Sequence, residues 1–506
     1  MTSTINLADR VVPGGYFLRN PAKKRTPFTA SGADRDAETR HCWTYAGGGS
    51  SIGLELIQML DTARDKVFVG TFYLGDTEVR KALMRAADRL RGGVYVLSAL
   101  DNKGLDEAIN KVDDATPIDE QTEYRNFGEL TKRGIYVRGY QGMHAKFVVV
   151  DDKVALVSSA NLVTRSFDNV GENGVVVSNP SFVDSLARLF ARLWQESKWD
   201  MPPHHETPTV ADRHLGEATT SHITLAEPDG NGPIWTRSTQ RSIAKALYET
   251  VENAQADLML ATFSIANMAH ALPKTPAEPK LLFDPVCRAI DRGVRVRMLL
   301  RGRNNVHAAR AEASAFAEAG VEIVPDSLNH AKGVIADGTR GALFSANFLT
   351  DLGLTGGVEV GMRLDDTPAL AEARRYFEHV IAEADLRFAA DPQLGELAQS
   401  IYARALAPWP LPEKIDVIVE NMHWQQFADQ EGVVLYERSG DGPITLYSGR
   451  DRWRLENMEG WWWLGPIEQA ATPAADIFES WLVARNRPPE MVLRGLCHAT
   501  FTQTEI

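Results

Sequence analysis

An ungapped internal repeat constrains this chain more than any other feature, because self-similarity fixes the domain plan before any motif is weighed. Ser51 to Phe72 reads SIGLELIQMLDTARDKVFVGTF, and Ser242 to Phe263 reads SIAKALYETVENAQADLMLATF. Each copy sets apolar residues at helical spacing, Ile52, Leu56 and Met59 against Ile243, Leu247 and Val251, then runs into a short apolar strand ending in Thr-Phe. ALMRAADRLRGGVYVLSAL from Ala82 and PVCRAIDRGVRVRMLL from Pro285 add a second helix and strand. Gly93 or Gly293 stands before the strand, where a helix C-terminus wants a residue tolerant of positive φ. A third block, LTKRGIYVRGYQGMHAKFVVVDD from Leu130, matches FAEAGVEIVPDSLNHAKGVIADG from Phe316, and each copy closes on an amphipathic helix around Phe190 or Phe377. Helices alternating with β-branched runs predict two α/β units over 41–201 and 234–390, a polar linker over 202–233 and an N-terminal extension over 1–40.

The region 391–506 is of another kind. It holds seven of the 11 tryptophans and, with 17 acidic against 9 basic side chains, −8 of the chain's net charge of −13. A small, partly β appendix is expected there, with GVVLYERSGDGPITLYSG as a hairpin turning at Gly440-Asp441-Gly442. Its tryptophans fill a small core or a protein interface better than they stack bases, because the acidity opposes DNA. The 506 residues suffice for more than one core, and a 24% share of charged residues excludes a disordered tail. Three distant cysteines, Cys42, Cys287 and Cys497, suggest neither a disulfide framework nor a Cys-x-x-Cys metal site and point to a reducing cytoplasm. The polar opening MTSTINLADRVVPGG and the lack of any run of roughly 18 apolar residues argue against a signal peptide or an integral membrane protein.

The chemistry lies in the third block. His144-Ala-Lys146 is followed by Asp151 and then Ser158-Ser159-Ala160-Asn161; His330-Ala-Lys332 is followed at the same spacing by Asp337 and Phe344-Ser345-Ala346-Asn347. On an extended chain residues i and i+2 share a face, so each His and Lys point together while the alanine turns away. Asp151 and Asp337 complete the two motifs and are carried with the catalytic set, although an Asp at a strand end more often hydrogen-bonds backbone. Ser159, Asn161, Ser345 and Asn347 are neutral donors suited to phosphate oxygens. Glu172 and Glu359, which follow the two asparagines, are placed to orient an imidazole. If the copies pack about a pseudo-two-fold axis, both sets converge on one site. One imidazole then attacks phosphorus, the other protonates the leaving oxygen and later activates water, and the two lysines neutralise the non-bridging oxygens. No cluster of carboxylates accompanies the motifs, so neither a divalent metal nor another cofactor is expected.

With these residues the chain resembles the phospholipase D superfamily, whose signature is this His-x-Lys-x-x-x-x-Asp with Gly-Ser-x-Asn, twice in one chain. The resemblance spans about 40–390 and implies a mixed sheet flanked by helices in each half, one central site between halves, and a metal-independent phosphohistidine route with His144 as nucleophile and His330 as acid. Ser158 and Phe344 stand where the family has glycine.

Shared motif residues do not choose the phosphodiester. The sequence favours a nuclease cleaving DNA, in bacterial defence or repair with a helicase partner, because it shows no membrane helix, basic amphipathic segment or lipid-anchor motif. SANLVTRSF also resembles cardiolipin synthases, so a phospholipase D or phosphatidyltransferase acting on phospholipid is the alternative. A non-catalytic subunit docked through the Trp-rich region is the second. Arg295, Arg297, Arg301 and Arg303 would suit a polyanion groove or an exposed strand face equally. His204 and His205 read as a solvated loop pair rather than metal ligands.

Overall fold

The computed structural model describes residues 3–5, 11–12, 14–20, 25–32, 37–47, 51–100, 126–204, 210–213, 223–225, 230–269, 282–304 and 306–402, and beyond these the backbone of short strands up to 504. It divides into two units: one of 22–302 with 315–385, the other of 1–21, 303–314 and 386–506.

The first unit holds both repeats. Copy one comprises β1 (Thr39–Thr44), α1 (Ser51–Thr62), β2 (Lys66–Gly70), α2 (Thr77–Arg89), β3 (Gly93–Ser98), β4 (Tyr136–Gly139), β5 (Phe147–Val150), β6 (Val154–Ser158), β7 (Glu172–Val177), α3 (Pro180–Glu196) and β8 (Trp199–Met201). The short β9 (Ala211–Asp212) follows in the linker. Copy two comprises β10 (Pro233–Arg237), β11 (Gln240–Arg241), α4 (Ser242–Glu252), β12 (Asp257–Thr262), α5 (Phe283–Asp291), β13 (Arg295–Arg301), β14 (Glu322–Asp326), β15 (Gly333–Ala336), β16 (Arg340–Phe344), β17 (Glu359–Arg363) and α6 (Pro368–Glu383). The sheets run β9-β8-β4-β3-β2-β5-β6-β7-β1 and β11-β10-β17-β16-β15-β12-β13-β14, so the repeat seen in sequence is a repeat of topology. In each, three parallel strands (β2, β3, β4; β12, β13, β14) meet an antiparallel run beginning at the motif strand, β5 or β15. The expected mixed sheet flanked by helices is the observed one.

Local sequence accounts for these elements. α1 buries Ile52, Leu56 and Met59, and α4 buries Ile243, Leu247 and Val251, the apolar positions of the repeat. Gly93 and Gly293 adopt φ of 84° and 87°, the left-handed conformation glycine favours: Gly293 directly after the cap of α5 at Arg292, Gly93 at the start of β3. FVVV and GVIA are buried throughout because both faces of a central strand are covered.

Where the family motif has glycine, Ser158 and Phe344 find their room across the ladder. Ser158 pairs with Gly174 and Phe344 with Gly361. A Cβ on Gly361 would stand 2.5 Å from Phe344 Cβ, and one on Gly174 would stand 2.7 Å from Ser158 Cβ. The space lost in one strand is recovered in its neighbour.

In the second unit, Gly15–Arg19 pairs antiparallel with Leu386–Ala390, so this last strand, read from sequence as the end of the second half, groups with the N-terminal segment. Asn304 brackets Phe17, its Oδ1 accepting from Phe17 N at 2.8 Å and its Nδ2 donating to Phe17 O at 3.0 Å. Val433–Arg438 and Ile444–Ser448 are both strands, as expected, but not partners of each other. The first pairs with Trp424–Gln430 and Trp461–Leu464, the second with Asp451–Glu456. The expected turn at Gly440-Asp441-Gly442 lies outside the described residues. The tryptophan side chains of this region also lie outside them.

Gly361→Ala is expected to destabilise the first unit by about 1–3 kcal/mol through overpacking against Phe344. Urea unfolding checks it, and an unchanged midpoint would contradict the cross-strand compensation.

Candidate active site

Each motif histidine stands just ahead of its motif strand, on a connection stitched to the other copy. His144 N donates to Val358 O at 3.0 Å and Val358 N to Gly142 O at 2.8 Å; correspondingly, His330 N donates to Gly171 O at 2.7 Å and Gly171 N to Leu328 O at 2.9 Å. Glu359 follows Val358 and Glu172 follows Gly171, so the stitches carry each glutamate to the histidine of the opposite copy. His144 Nδ1 lies 2.7 Å from Glu359 Oε1, and His330 Nδ1 lies 2.8 Å from both Oε1 and Oε2 of Glu172. The predicted orienting role is therefore available to both glutamates, in crossed form.

Both carboxylates are fully buried. Burial pushes them up, but the adjacent histidine and lysine prevail and hold both below the ordinary carboxylate range. The motif serines add the remaining bonds. Ser159 Oγ donates to Glu172 Oε2 at 2.6 Å and accepts from Asn173 N at 3.0 Å. Ser345 Oγ donates to Glu359 Oε2 and accepts from Val360 N at 3.0 Å. Ser159 and Ser345, expected to offer their hydroxyls to phosphate, here donate them to buried carboxylates, which desolvation makes strong acceptors. Asn161 and Asn347 differ, since the side-chain Oδ1 of each is buried with no hydrogen-bond partner among the described residues.

Lys146 and Lys332 are buried, each Nζ donating to the carbonyl of its own motif histidine, Lys332 at 2.7 Å. Burial lowers them to about 8 and about 7 against the pull of the two glutamates. Burial likewise lowers His144, and brings His330 to about 4, so both imidazoles are neutral at pH 7. Each lysine also acts on the histidine of the other copy, Lys332 on His144 and Lys146 on His330, so the two sets share one electrostatic site. Ala145 and Ala331 turn into the apolar core as the alternation requires.

Sequence reasoning missed three residues. Phe72 lies 5.0 Å from the His144 ring and Phe263 lies 4.7 Å from the His330 ring; the Nζ of Lys146 and of Lys332 stands 5.6 Å from the same phenylalanine of its copy. Their signal was the Thr-Phe that ends the first repeat block in both copies. Asn173 clamps the backbone of Lys332 across the interface, Oδ1 accepting from N at 3.2 Å and Nδ2 donating to O at 3.3 Å. Copy two has Val360 there, so repetition gave no signal.

Asp151 and Asp337, carried with the catalytic set, accept hydrogen bonds from turn backbone. Asp151 accepts from the backbone N of Arg64, Asp65 and Lys66 at 2.8, 2.8 and 3.0 Å, and Asp337 from Gln255, Ala256 and Asp257 at 2.9, 2.8 and 3.0 Å. Both sit at φ near +55° (55° and 54°), in a turn beyond the motif strand, where Asp tolerates the left-handed conformation and its carboxylate gathers amides. Arg295 bonds Glu322 at 2.7 Å and Arg297 bonds Asp257 at 2.9 Å, so both have carboxylate partners, and Arg301 lies 5.8 Å from the Phe263 ring beside the site. Arg303 belongs to the other unit. His204 N donates to Thr131 O at 2.8 Å at a loop turn, and His205 lies outside the described residues.

The family model described as "Cardiolipin synthase, PLD-like domain" matches residues 56–194 and 247–381, just over half of the chain. The mitochondrial cardiolipin hydrolase of Canis lupus familiaris is 35% identical over 88 residues, 16% of this chain and 35% of that protein. The probable cardiolipin synthase YwiE of Bacillus subtilis (strain 168) is 28% identical over 162 residues, 31% of this chain and 29% of that one. The chain thus spans about a third of the length of the curated relatives it matches. Among solved structures, a phosphatidylserine synthase of Haemophilus influenzae Rd KW20 aligns over 72% of this chain and 90% of its own, at 15% identity and a TM-score of 0.49. No helix among the described residues is long and apolar enough to cross a membrane.

If Asp151 and Asp337 serve the turns, Asp151→Ala and Asp337→Ala each lower stability by about 1–3 kcal/mol through unsatisfied amides. Turnover per folded molecule stays within severalfold, measured by thermal unfolding beside kinetics. Loss of turnover at unchanged stability would restore the aspartates to the catalytic set.

Proposed function

The chain belongs to the phospholipase D superfamily, through its cardiolipin synthase, PLD-like domain, and from that premise we propose that it is a phosphodiesterase or phosphatidyltransferase working through a phosphohistidine. The observation that carries this reading is the crossed pair of buried His–Glu contacts. A carboxylate at Nδ1 fixes the tautomer with the proton there and leaves the Nε2 lone pair free. One imidazole Nε2 forms a bond to phosphorus as the bond to the leaving oxygen breaks, and the other imidazole, having taken up a proton, transfers it to that oxygen. In the second half-reaction this imidazole takes a proton from water or an acceptor alcohol, whose oxygen displaces the phosphohistidine nitrogen. We assign the nucleophile to His144 and the acid to His330, following the family order. The two ammonium groups neutralise the non-bridging oxygens, and the amides of Asn161 and Asn347 donate to the same phosphate. Ser159 and Ser345 hold the carboxylates.

Phospholipid is the favoured substrate class, supported by the cardiolipin enzymes among the relatives. Cleavage of DNA in bacterial defence, with a helicase as partner and a cytoplasmic location, and docking of a non-catalytic subunit through residues 391–506, rest on the sequence argument alone and serve as the competing arms of the test.

Purified protein in EDTA is offered phosphatidylglycerol and cardiolipin vesicles, single- and double-stranded DNA, and RNA. Expected are lipid turnover and its loss by at least roughly 1,000-fold in His144→Ala and His330→Ala. DNA cleavage with intact lipid would favour the nuclease, and no turnover of any substrate would favour the scaffold. Because Lys332 and Lys146 lose their protons at about 7 and about 8 in the free protein, raising the pH through this range removes positive charge from the phosphate subsite. KM is therefore expected to rise from pH 7 to 9, and a KM flat across this range would contradict the assignment of the lysines.

A further inference from the structure

Arg25 lies outside both repeats, yet its guanidinium ends at the loop that delivers His330. Its Nη2 donates to Asp326 Oδ2 at 2.8 Å and Ser327 Oγ at 2.9 Å and lies 2.6 Å from Asp385 Oδ1, while Nε donates to Asp326 Oδ2 at 3.3 Å. Asp326 is fully buried at the end of β14, and a carboxylate there requires a partner. Its other oxygen accepts from Leu328 N at 2.8 Å, and Asp385 accepts from Ser327 N at 2.9 Å and Ser327 Oγ at 2.7 Å. Leu328 O and His330 N then make the two bonds to Gly171 that stitch this loop to the first copy. The stitch is closely packed: a Cβ on Gly171 would stand 3.3 Å from Tyr45 Cδ2, 3.4 Å from Tyr376 Oη and 3.5 Å from Leu328 O. Residues 326–328 are thus pinned one after another, with Arg25 joining the two carboxylates that pin them.

A side chain positions a loop only if its own backbone is held. Thr26 N donates to Glu383 Oε2 at 2.7 Å, Ser31 Oγ donates to Glu372 Oε2 at 2.6 Å, and Phe28 packs edge-on to Trp43 and Tyr376 at 5.2 and 5.3 Å, so residues 25–31 are fastened along α6. In the ungapped repeat Asp326 corresponds to Tyr140, so the His144 loop has no carboxylate at this position.

We infer that Arg25 is a positioning residue for His330, and that the N-terminal extension, through it, sets the geometry of one histidine and not the other. The kinetic consequence rests on the phosphodiesterase reading above; the placement of the imidazole does not. The test therefore reads both. Side-chain 15N spectra of the histidines are recorded on the full chain as wild type, Arg25→Ala, Arg25→Lys and Asp385→Asn, with assignments from His144→Asn and His330→Asn. In Arg25→Ala the His330 nitrogens are expected to shift or broaden while those of His144 stay in place. Arg25→Lys recovers part of the change, and Asp385→Asn reproduces part of it. With a turned-over phosphodiester, kcat of Arg25→Ala falls roughly 10- to 100-fold, the scale of a displaced reacting group, with KM within about twofold. If Arg25→Ala does not fold, Arg25→Lys and Asp385→Asn, which leave no buried carboxylate without a cation, carry the same comparison. An unmoved His330 signal in folded protein, or both histidines moving together, overturns the inference. Absence of turnover in wild type would count against the phosphodiesterase reading and leave the spectral result standing.

Discussion

Everything at the centre of this molecule depends on the exchange of glutamates between its two copies. A neutral imidazole buried in protein needs its second nitrogen fixed, and a buried carboxylate needs donors; the crossed His144–Glu359 and His330–Glu172 contacts meet both needs at once. The exchange is imposed by backbone rather than chosen by side chains, since each glutamate follows a residue already bonded to the opposite histidine connection. Neither copy alone could complete a histidine. Separated, each would expose a carboxylate, a serine and an imidazole prepared for absent partners. The interface between copies and the site are one structure.

The second constraint is burial. Lys146 and Lys332 lie in the interior, donating to the carbonyls of their own histidines, and their proton affinity falls because burial outweighs the two glutamates. Such lysines are poised rather than permanently charged, and an incoming anion, the phosphate of the proposed reaction, would favour their protonated form. Two buried glutamates stand against two buried lysines, so opposite charges in the site partly offset one another before substrate arrives. That offset is what allows so many ionisable groups to sit beneath the surface.

The repeat, the mixed sheets, the motif strands and the histidine, lysine and glutamate positions were legible because each left the same mark twice. What was not legible falls into two kinds. Ser159 and Ser345 were visible, but the choice between a phosphate and a carboxylate as acceptor depends on a neighbour that only tertiary packing brings near. Asp151 and Asp337 were visible too, and their backbone role follows from a turn geometry that the motif alone leaves open. Asn173 and Arg25 left no repeated mark, since Val360 stands opposite the first and nothing in the second copy matches the extension that carries the other. Supports found in one copy are silent to an argument that reads by repetition.

Those one-sided supports bear on how a symmetric frame can do asymmetric chemistry. Two identical imidazoles would bind protons equally, and phosphoryl transfer by this route needs one free lone pair and one proton donor at the same moment. Here the environments diverge around a shared core. Glu172 meets His330 with both oxygens and Glu359 meets His144 with one; Asn173 clamps the Lys332 backbone while Val360 cannot return the contact; and a buried carboxylate bridged by Arg25 stands behind the His330 loop where the other copy has Tyr140. These differences lie at a histidine's own carboxylate or behind it through a short run of contacts, where they can change its orientation without altering the atoms that would touch phosphate. The two copies repeat the histidine while the residues behind it differ, so the two imidazoles stand in unequal surroundings.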